Sequence, residues 1–429
     1  MSVFAGRSYA VVGLGRAGLP AARRLRELGA DVLVWDDGAA SRETAAAEGF
    51  KVEQPSLSGR VFDALVLSPG IPHHLPRAHG DAAWAHSQGV PILTDAELLY
   101  QAVRELGSKA RFAGITGTNG KSTTTALLAH ILTMAGVPNA AGANLGPAAL
   151  SLPLLPDNGV YVLEMSSYML ERLATLRFDV AALLNLSPDH LDRHGDMQGY
   201  ALAKREIFAR QDEGCVAVVG VDDAASRAIA TWLQTKPGKL VEISGLGHET
   251  GAKALQGPHN AQNAQAAAAL ARGLGVPEVT ILAGIESFPG LAHRAQEVAV
   301  REGVRFINDS KATNADAASR AMGVFERFVW IAGGQAKAGG IESLAAFFPR
   351  IEKAFLIGQD GLAFAQYLSE AGVPNDYVET LEAAVPAAFA VAKAGSGVVL
   401  LSPATASFDQ FPNFEARGDR FTALARGEL

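Results

Sequence analysis

Short apolar runs that end in glycine or polar turns alternate along the whole chain with longer stretches rich in alanine and leucine. This alternation constrains the fold more than any other feature. Successive strands joined by helix-length segments pair in parallel, and the helices cover the faces of the sheets. Strands are expected at residues 9–12, 32–35, 64–67 and 91–93, then at 111–115, 161–163, 180–184, 216–219 and 240–243. A third group is expected at 305–307, 328–331, 354–357 and 398–401. The fold class is α/β. A chain of 429 residues exceeds what one core organises, so two or three domains are expected. Residues 95–109 read as a connecting helix, and the Phe-Pro-Gly break within 287–291 reads as a hinge. Ligands of such folds sit beyond the carboxyl ends of the strands.

A net charge of −7 argues against nucleic acid or an anionic membrane held by bulk electrostatics. A local phosphate site needs only a few donors and stays open. The single cysteine, Cys215, excludes an internal disulfide framework and a multi-cysteine metal site, and reads as a buried thiol at a strand edge. No basic stretch precedes a signal-peptide core, and no apolar run approaches the roughly 18–20 residues of a membrane span. A soluble, cytoplasmic protein is expected.

The strongest motif is Gly114-Ile-Thr-Gly-Thr-Asn-Gly-Lys-Ser122, set between an apolar strand and a helix expected over 123–132. Glycines let the backbone fold around phosphates, and the helix N-terminus aims amides at them. Lys121 supplies charge to the β/γ-phosphates, and the hydroxyl of Ser122 or Thr123 suits Mg²⁺. Ile115 stands where a strict Walker A has its first glycine. Glu164 ends the next strand, ahead of Ser166 and Ser167. It reads either as a magnesium ligand or as an acid at a helix start.

The strand at 180–184 runs into Asn185-Leu-Ser-Pro-Asp-His-Leu-Asp-Arg-His194. That is a second metal or phosphate site, or a turn in which Pro188 opens a helix capped by Ser187. Lys204 alone reads as a solvated lysine. His259-Asn-Ala-Gln-Asn263 precedes an alanine-rich helix and reads as its cap. Asn308-Asp-Ser-Lys-Ala-Thr-Asn314 resembles a polar substrate site more than a simple turn. In the segment 402–418, three phenylalanines among small polar residues line a pocket or cover a core edge. Gly13-Leu-Gly-Arg-Ala-Gly18, with Asp36 and Asp37 ending the second strand, fits the dinucleotide fingerprint. Alone it points to an oxidoreductase, a reading that leaves the P-loop unexplained. A nucleotide-controlled switch gives no purpose to residues 308–314.

In their order these motifs resemble the ATP-dependent Mur ligases, over nearly the whole chain. The resemblance implies a Rossmann-like domain for a UDP-sugar (residues 1–99), a central P-loop ATPase domain (100–290) and a Rossmann-like C-terminal domain for the incoming amino acid (291–429). Residues 308–314 and 402–411, with Arg417-Gly418, are similar to the branch that adds D-glutamate to UDP-N-acetylmuramoyl-L-alanine in peptidoglycan synthesis. By that resemblance ATP is held by Gly117, Thr118, Asn119, Gly120, Lys121, Ser122 and Thr123, with Asn263, Arg294 and Asp309. Two Mg²⁺ ions fall to Ser122, Glu164, His190 and a carbamylated Lys204; Lys121, Glu164, His190 and Lys204 are the catalytic set. The UDP-sugar falls to Gly13, Leu14, Gly15, Arg16, Asp36, Asp37, Ser68, Gly70, Ile71, Asn144, Ser166 and His190. D-glutamate falls to Lys311, Thr313, Lys337, Ser407, Phe408 and Phe414. The sequence departs from the family pattern at Tyr168, at Thr405 and in residues 333–340. A ligase of the same family with another acceptor is the remaining alternative. A monomer that closes about its hinges before chemistry is expected.

Overall fold

The structure, a computed structural model, describes residues 2–248, 250–252, 254–336 and 340–428. It divides into two compact units, Met1–Phe288 and Pro289–Leu429. The first unit carries two sheets. One contains β1 (Ser8–Val12), β2 (Asp31–Trp35), β3 (Lys51–Val52), β4 (Ala64–Leu67) and β5 (Ile92–Leu93), in the order β3-β2-β1-β4-β5. The other contains β6 (Arg111–Thr116), β7 (Asn139–Ala143), β8 (Val160–Glu164), β9 (Val180–Leu183), β10 (Val216–Gly220) and β11 (Lys239–Ile243), in the order β11-β10-β9-β6-β8-β7. Every pairing in both sheets is parallel.

The second unit has β12 (Gln296–Arg301), β13 (Val304–Asn308), β14 (Phe328–Gly333), β15 (Ile351–Ile357), β16 (Asn375–Glu379) and β17 (Val398–Leu401). Their order is β12-β13-β17-β14-β15-β16. Here the all-parallel expectation is corrected, because β12 pairs antiparallel with β13 through a bulge at Glu297/Ala299. Trp330 lies fully buried in β14 and donates its indole N–H to the carbonyl of Ser402 (2.8 Å).

Two other expectations are corrected. Residues 259–263 do not precede their helix but lie within its first turns, since it runs Pro258–Gly273 with Gly257 at the cap. No helix starts at Pro188; the short helix after β9 is Leu191–His194. The P-loop helix begins at Lys121 and reaches Met134.

The helix Asp95–Glu105 is no loose connector. Thr94 caps it, accepting from the Ala96 amide (3.0 Å), and Leu98, Leu99, Ala102 and Val103 are buried. Tyr100 meets Phe112 of β6 edge-on, and Phe112 stacks on Tyr161 of β8. One hydrophobic cluster thus runs from the first sheet into the second. Buried Glu97 fixes the seam by accepting backbone N–H bonds from Ala174 (3.0 Å), Thr175 (2.8 Å) and Leu176 (2.9 Å). No helix among the described residues is long and apolar enough to cross a membrane.

Truncating Glu97 strands three backbone amides in the interior. Glu97→Ala is expected to cost about 3 kcal/mol, read as a lower urea midpoint with little change in slope. An unchanged midpoint would show that the seam does not depend on this carboxylate.

Candidate active site

The P-loop leaves β6 at the middle of its sheet and turns into the helix Lys121–Met134. Gly120 adopts φ +84°, and a side chain there would collide with the amide oxygen of Asn263. Asn263 is thereby placed against the loop. The loop is tied to the end of β9: the Asn119 amide donates to Asn185 Oδ1 (2.9 Å), and Asn185 Nδ2 returns a bond to Asn119 O (3.2 Å). Lys121 Nζ donates to the carbonyls of Gly117 and Thr118, both at 2.9 Å. Ser122 is buried at the first turn of the helix.

Lys204 comes to the same loop from the helix Met197–Arg205 and is only 1% exposed. Its Nζ donates to Gly117 O (2.9 Å) and Thr116 Oγ1 (3.2 Å). Burial, reinforced by the charge of Lys121, pushes its amine well below the ordinary lysine range. This corrects the isolated reading of Lys204 as a solvated side chain.

Glu164 closes β8 beside the P-loop. One carboxylate oxygen accepts from Asn144 Nδ2 (2.5 Å), while Oε2 is buried with no hydrogen-bond partner among the described residues. Ser166 is the N-cap of the helix Ser167–Leu170, accepting from the Met169 amide (3.3 Å). His190 is half-exposed, in a left-handed conformation (φ +53°), with its ring 5.0 Å from that of Tyr168. Burial lowers its pKa, Asp189 opposes the shift and Lys204 adds to it. Among the described residues no three His, Cys, Asp or Glu side chains gather as a metal cluster. A cation here would rest on a mixed set, with the orphaned Glu164 oxygen as its negative donor.

In the first sheet the carboxyl ends of β1, β2 and β4 open on a cavity of about 490 Å³. Its walls include Gly13, Gly15, Arg16, Asp36, Asp37, Ser68 and Ile71, and also Asn144, the residue that holds Glu164. Gly18 has no room for a side chain, which would strike the carbonyl of Gly13. Asp36 is committed to the turn: Oδ2 accepts from the Leu14 amide (2.6 Å) and Oδ1 from that of Gly38 (2.8 Å). Asp37 is the exposed acid of the pair. Leu14 packs into the core, so only its backbone serves the turn. Arg16 reaches Gly146 O (3.2 Å) in the segment after Asn144.

In the second unit the candidate residues of 308–314 and 402–418 follow β13 and β17, which are neighbours in the sheet. Buried Asp309 accepts from Ser402 Oγ (2.7 Å) and the Ala295 amide (3.0 Å), and burial pushes its pKa up to about 7. It is not a surface ion-pair partner. Lys311 Nζ lies 5.2 Å from the centre of the Phe414 ring. Arg417 binds the two loops together, donating to the carbonyls of Ser310 (2.9 Å) and Thr405 (3.0 Å). Ser407 is buried, Thr313 partly so, and Phe408 is 70% exposed. Arg294 sits between His293 and Ala295, both at positive φ. Lys337 lies outside the described residues.

Sequence reasoning missed His79 and Asp95 on the cavity wall. His79 Nε2 lies 3.2 Å from Asp37 Oδ2, and its Nδ1 accepts from the Asp81 amide. Asp95 is buried at the start of its helix, and burial raises its pKa. Neither carries a motif. Backbone strain is the independent signal: of the seven non-glycine residues at positive φ among those described, Ala143, His190, His293, Ala295 and Ala404 lie in or beside these clusters.

Known proteins resemble this chain in sequence and in fold. Residues 115–256 match the Mur ligase middle domain, and residues 293–405 match the Mur ligase, glutamate ligase domain. The UDP-N-acetylmuramoylalanine--D-glutamate ligase of Caulobacter vibrioides is 45% identical over 99% of this chain and 96% of its own length. That of Paramagnetospirillum magneticum is 46% identical over 98% and 96%. Among solved structures, the UDP-N-acetylmuramate-alanine ligase of Thermotoga maritima superposes with a TM-score of 0.59 at 19% identity, covering 99% of this chain and 100% of that one. The UDP-N-acetylmuramoylalanyl-D-glutamyl-2,6-diaminopimelate--D-alanyl-D-alanyl ligase of Acinetobacter baumannii gives 0.60 at 18% identity, with 99% and 91% covered. The solved structures share the fold, and the full-length relatives establish that this chain belongs to the Mur ligase family, in the branch whose members are named UDP-N-acetylmuramoylalanine--D-glutamate ligases.

Proposed function

We propose that the protein is an ATP-dependent amide ligase that adds D-glutamate to UDP-N-acetylmuramoyl-L-alanine in peptidoglycan precursor synthesis. The observation that carries the reading is the bridge from Asn144 to Glu164, which joins the wall of the cavity to the P-loop end of the next sheet. A carboxylate substrate seated in the cavity would meet ATP there.

Residues 1–99 would hold the UDP-sugar, 100–290 ATP and 291–429 the amino acid. In the cavity the Gly13–Gly18 turn suits a diphosphate, with Asp37, Ser68 and Ile71 around it. Lys121 and the amides of residues 117–123 would bind and orient the ATP phosphates. The γ-phosphoryl then passes to the alanyl carboxylate, and ADP leaves. The amine of D-glutamate attacks the acyl phosphate carbon, loses a proton, and phosphate departs as the amide forms. Lys311, Thr313, Lys337, Ser407, Phe408 and Phe414 would place that amine, and Asn263, Arg294 and Asp309 would hold the nucleoside. Ser122, Glu164, His190 and Lys204 would hold two magnesium ions, which when bound would screen the charge between carboxylate and triphosphate.

Lys204 matches its part only after a chemical change. A neutral amine adds to CO₂ and loses a proton, giving an anionic carbamate. Burial beside Lys121 favours that neutral form. The monomeric state and cytoplasmic location belong to the same proposal.

Phosphate release tests the reading directly. It is expected to require Mg-ATP, UDP-N-acetylmuramoyl-L-alanine and D-glutamate together, each omission abolishing it. Preference for another amino acid would keep the ligase and replace the acceptor; release indifferent to the UDP-sugar would overturn it. For the carbamate, Lys204→Ala should lower kcat by about 100-fold, and a small carboxylate should restore part of the loss. Activity near wild type without added carboxylate would remove that role.

A further inference from the structure

Arg172 follows the helix Ser167–Leu170 and is 3% exposed. Its guanidinium donates from Nη1 to the carbonyls of Leu67 (2.8 Å) and Ser68 (3.1 Å), and from Nη2 to that of Ile71 (2.6 Å). Nε donates to Nδ1 of His73 (3.3 Å). All four acceptors lie at or just beyond the end of β4, and Ser68 and Ile71 wall the cavity. Ser68 Oγ in turn donates to Gly13 O (2.7 Å), so the placement of this segment passes directly to the phosphate-binding turn.

The neighbouring residue grips the other side. Glu171 Oε1 lies 2.9 Å from His194 Nδ1, and His194 Nε2 lies 2.9 Å from Ser167 Oγ. His194 ends the short helix that begins just after His190. Arg193, from that helix, donates to Gly70 O (3.0 Å). Two adjacent residues therefore hold, respectively, the loop of the first sheet and the segment that carries His190.

Burial, reinforced by Arg193, lowers the Arg172 pKa to about 10. Removing the guanidinium would leave these buried carbonyls without their donor, so Arg172 also contributes to stability. What a planar guanidinium adds is direction: several donors in one rigid plane fix several carbonyls at once.

We propose that Arg172 is a positioning residue for the sugar nucleotide, setting residues 67–73 so that the cavity wall and the phosphate-binding turn keep one register against the catalytic end of the central sheet. The inference rests on the reading of the cavity as the UDP-sugar site. It requires no contact between Arg172 and the ligand.

The test uses Arg172→Met and Arg172→Lys in the full-length protein, with KM measured separately for each substrate and UDP-N-acetylmuramoyl-L-alanine binding measured by calorimetry. In Arg172→Met, KM for the UDP-sugar is expected to rise about tenfold, with KM for ATP within about twofold and kcat largely kept. Arg172→Lys, which keeps the charge but cannot span the same carbonyls, should show the same split with a smaller rise. Equal rises for all substrates, or unchanged UDP-sugar binding in folded variants, would overturn the role. Wild-type protein that fails to bind the UDP-sugar would overturn the reading beneath it. A readout independent of variant folding is hydrogen exchange in the wild type. The UDP-sugar should slow exchange in residues 167–173 as well as in 67–73, and protection confined to 67–73 would also defeat the proposal.

Discussion

Two lysine amines converge on one carbonyl oxygen, that of Gly117. Burial above all, and then the charge of the second ammonium, lowers the Lys204 pKa, while Lys121 stays part-exposed. Much of the first unit serves this meeting. β6 delivers the P-loop, Asn185 holds it from β9, and the helix Met197–Arg205 brings Lys204 from behind. Glu164 enters from β8 on the opposite side of β6 from β9. The parallel sheet matters because it brings these strand ends to one edge.

Most of this was legible in the sequence because the central strands are apolar and end in residues with chemical meaning. The strands it did not reveal are β3, β7, β12 and β16, all at sheet edges. β3 has two residues, β7 is Asn-Ala-Ala-Gly-Ala, and β12 and β16 carry several charged or polar side chains. Edge strands are stabilised by one partner's hydrogen bonds rather than by burial on two sides, so hydrophobic runs do not mark them. The antiparallel sense of β12 was hidden for the same reason.

The site shows a similar division. Lys121 opens the P-loop helix and Glu164 closes β8, both next to apolar runs the sequence marks, whereas the left-handed backbone of His190 and the inclusion of residues 259–263 in their helix were not readable. His79, Asp95 and Arg172 matter only because distant segments fold onto them. Arg172 looks like any basic residue after a short helix until the carbonyls of Leu67, Ser68 and Ile71 are seen around it. The fingerprint at Gly13–Gly18 shows the converse hazard. Asp36 matches the ribose-binding acid of that pattern by spacing, yet its carboxylate organises Leu14 and Gly38, while Asp37, on the same cavity wall, faces His79.

The solitary oxygen of Glu164 has a consequence for the order of events at this end of the sheet. Its partner oxygen is already bonded to Asn144, and its own surroundings are closed to water. The desolvation of that oxygen was incurred when the chain folded, so any partner it gains, cation or N–H donor, offsets a cost already present. Such a partner has first to open the packing around the end of β8, and local opening there would precede binding.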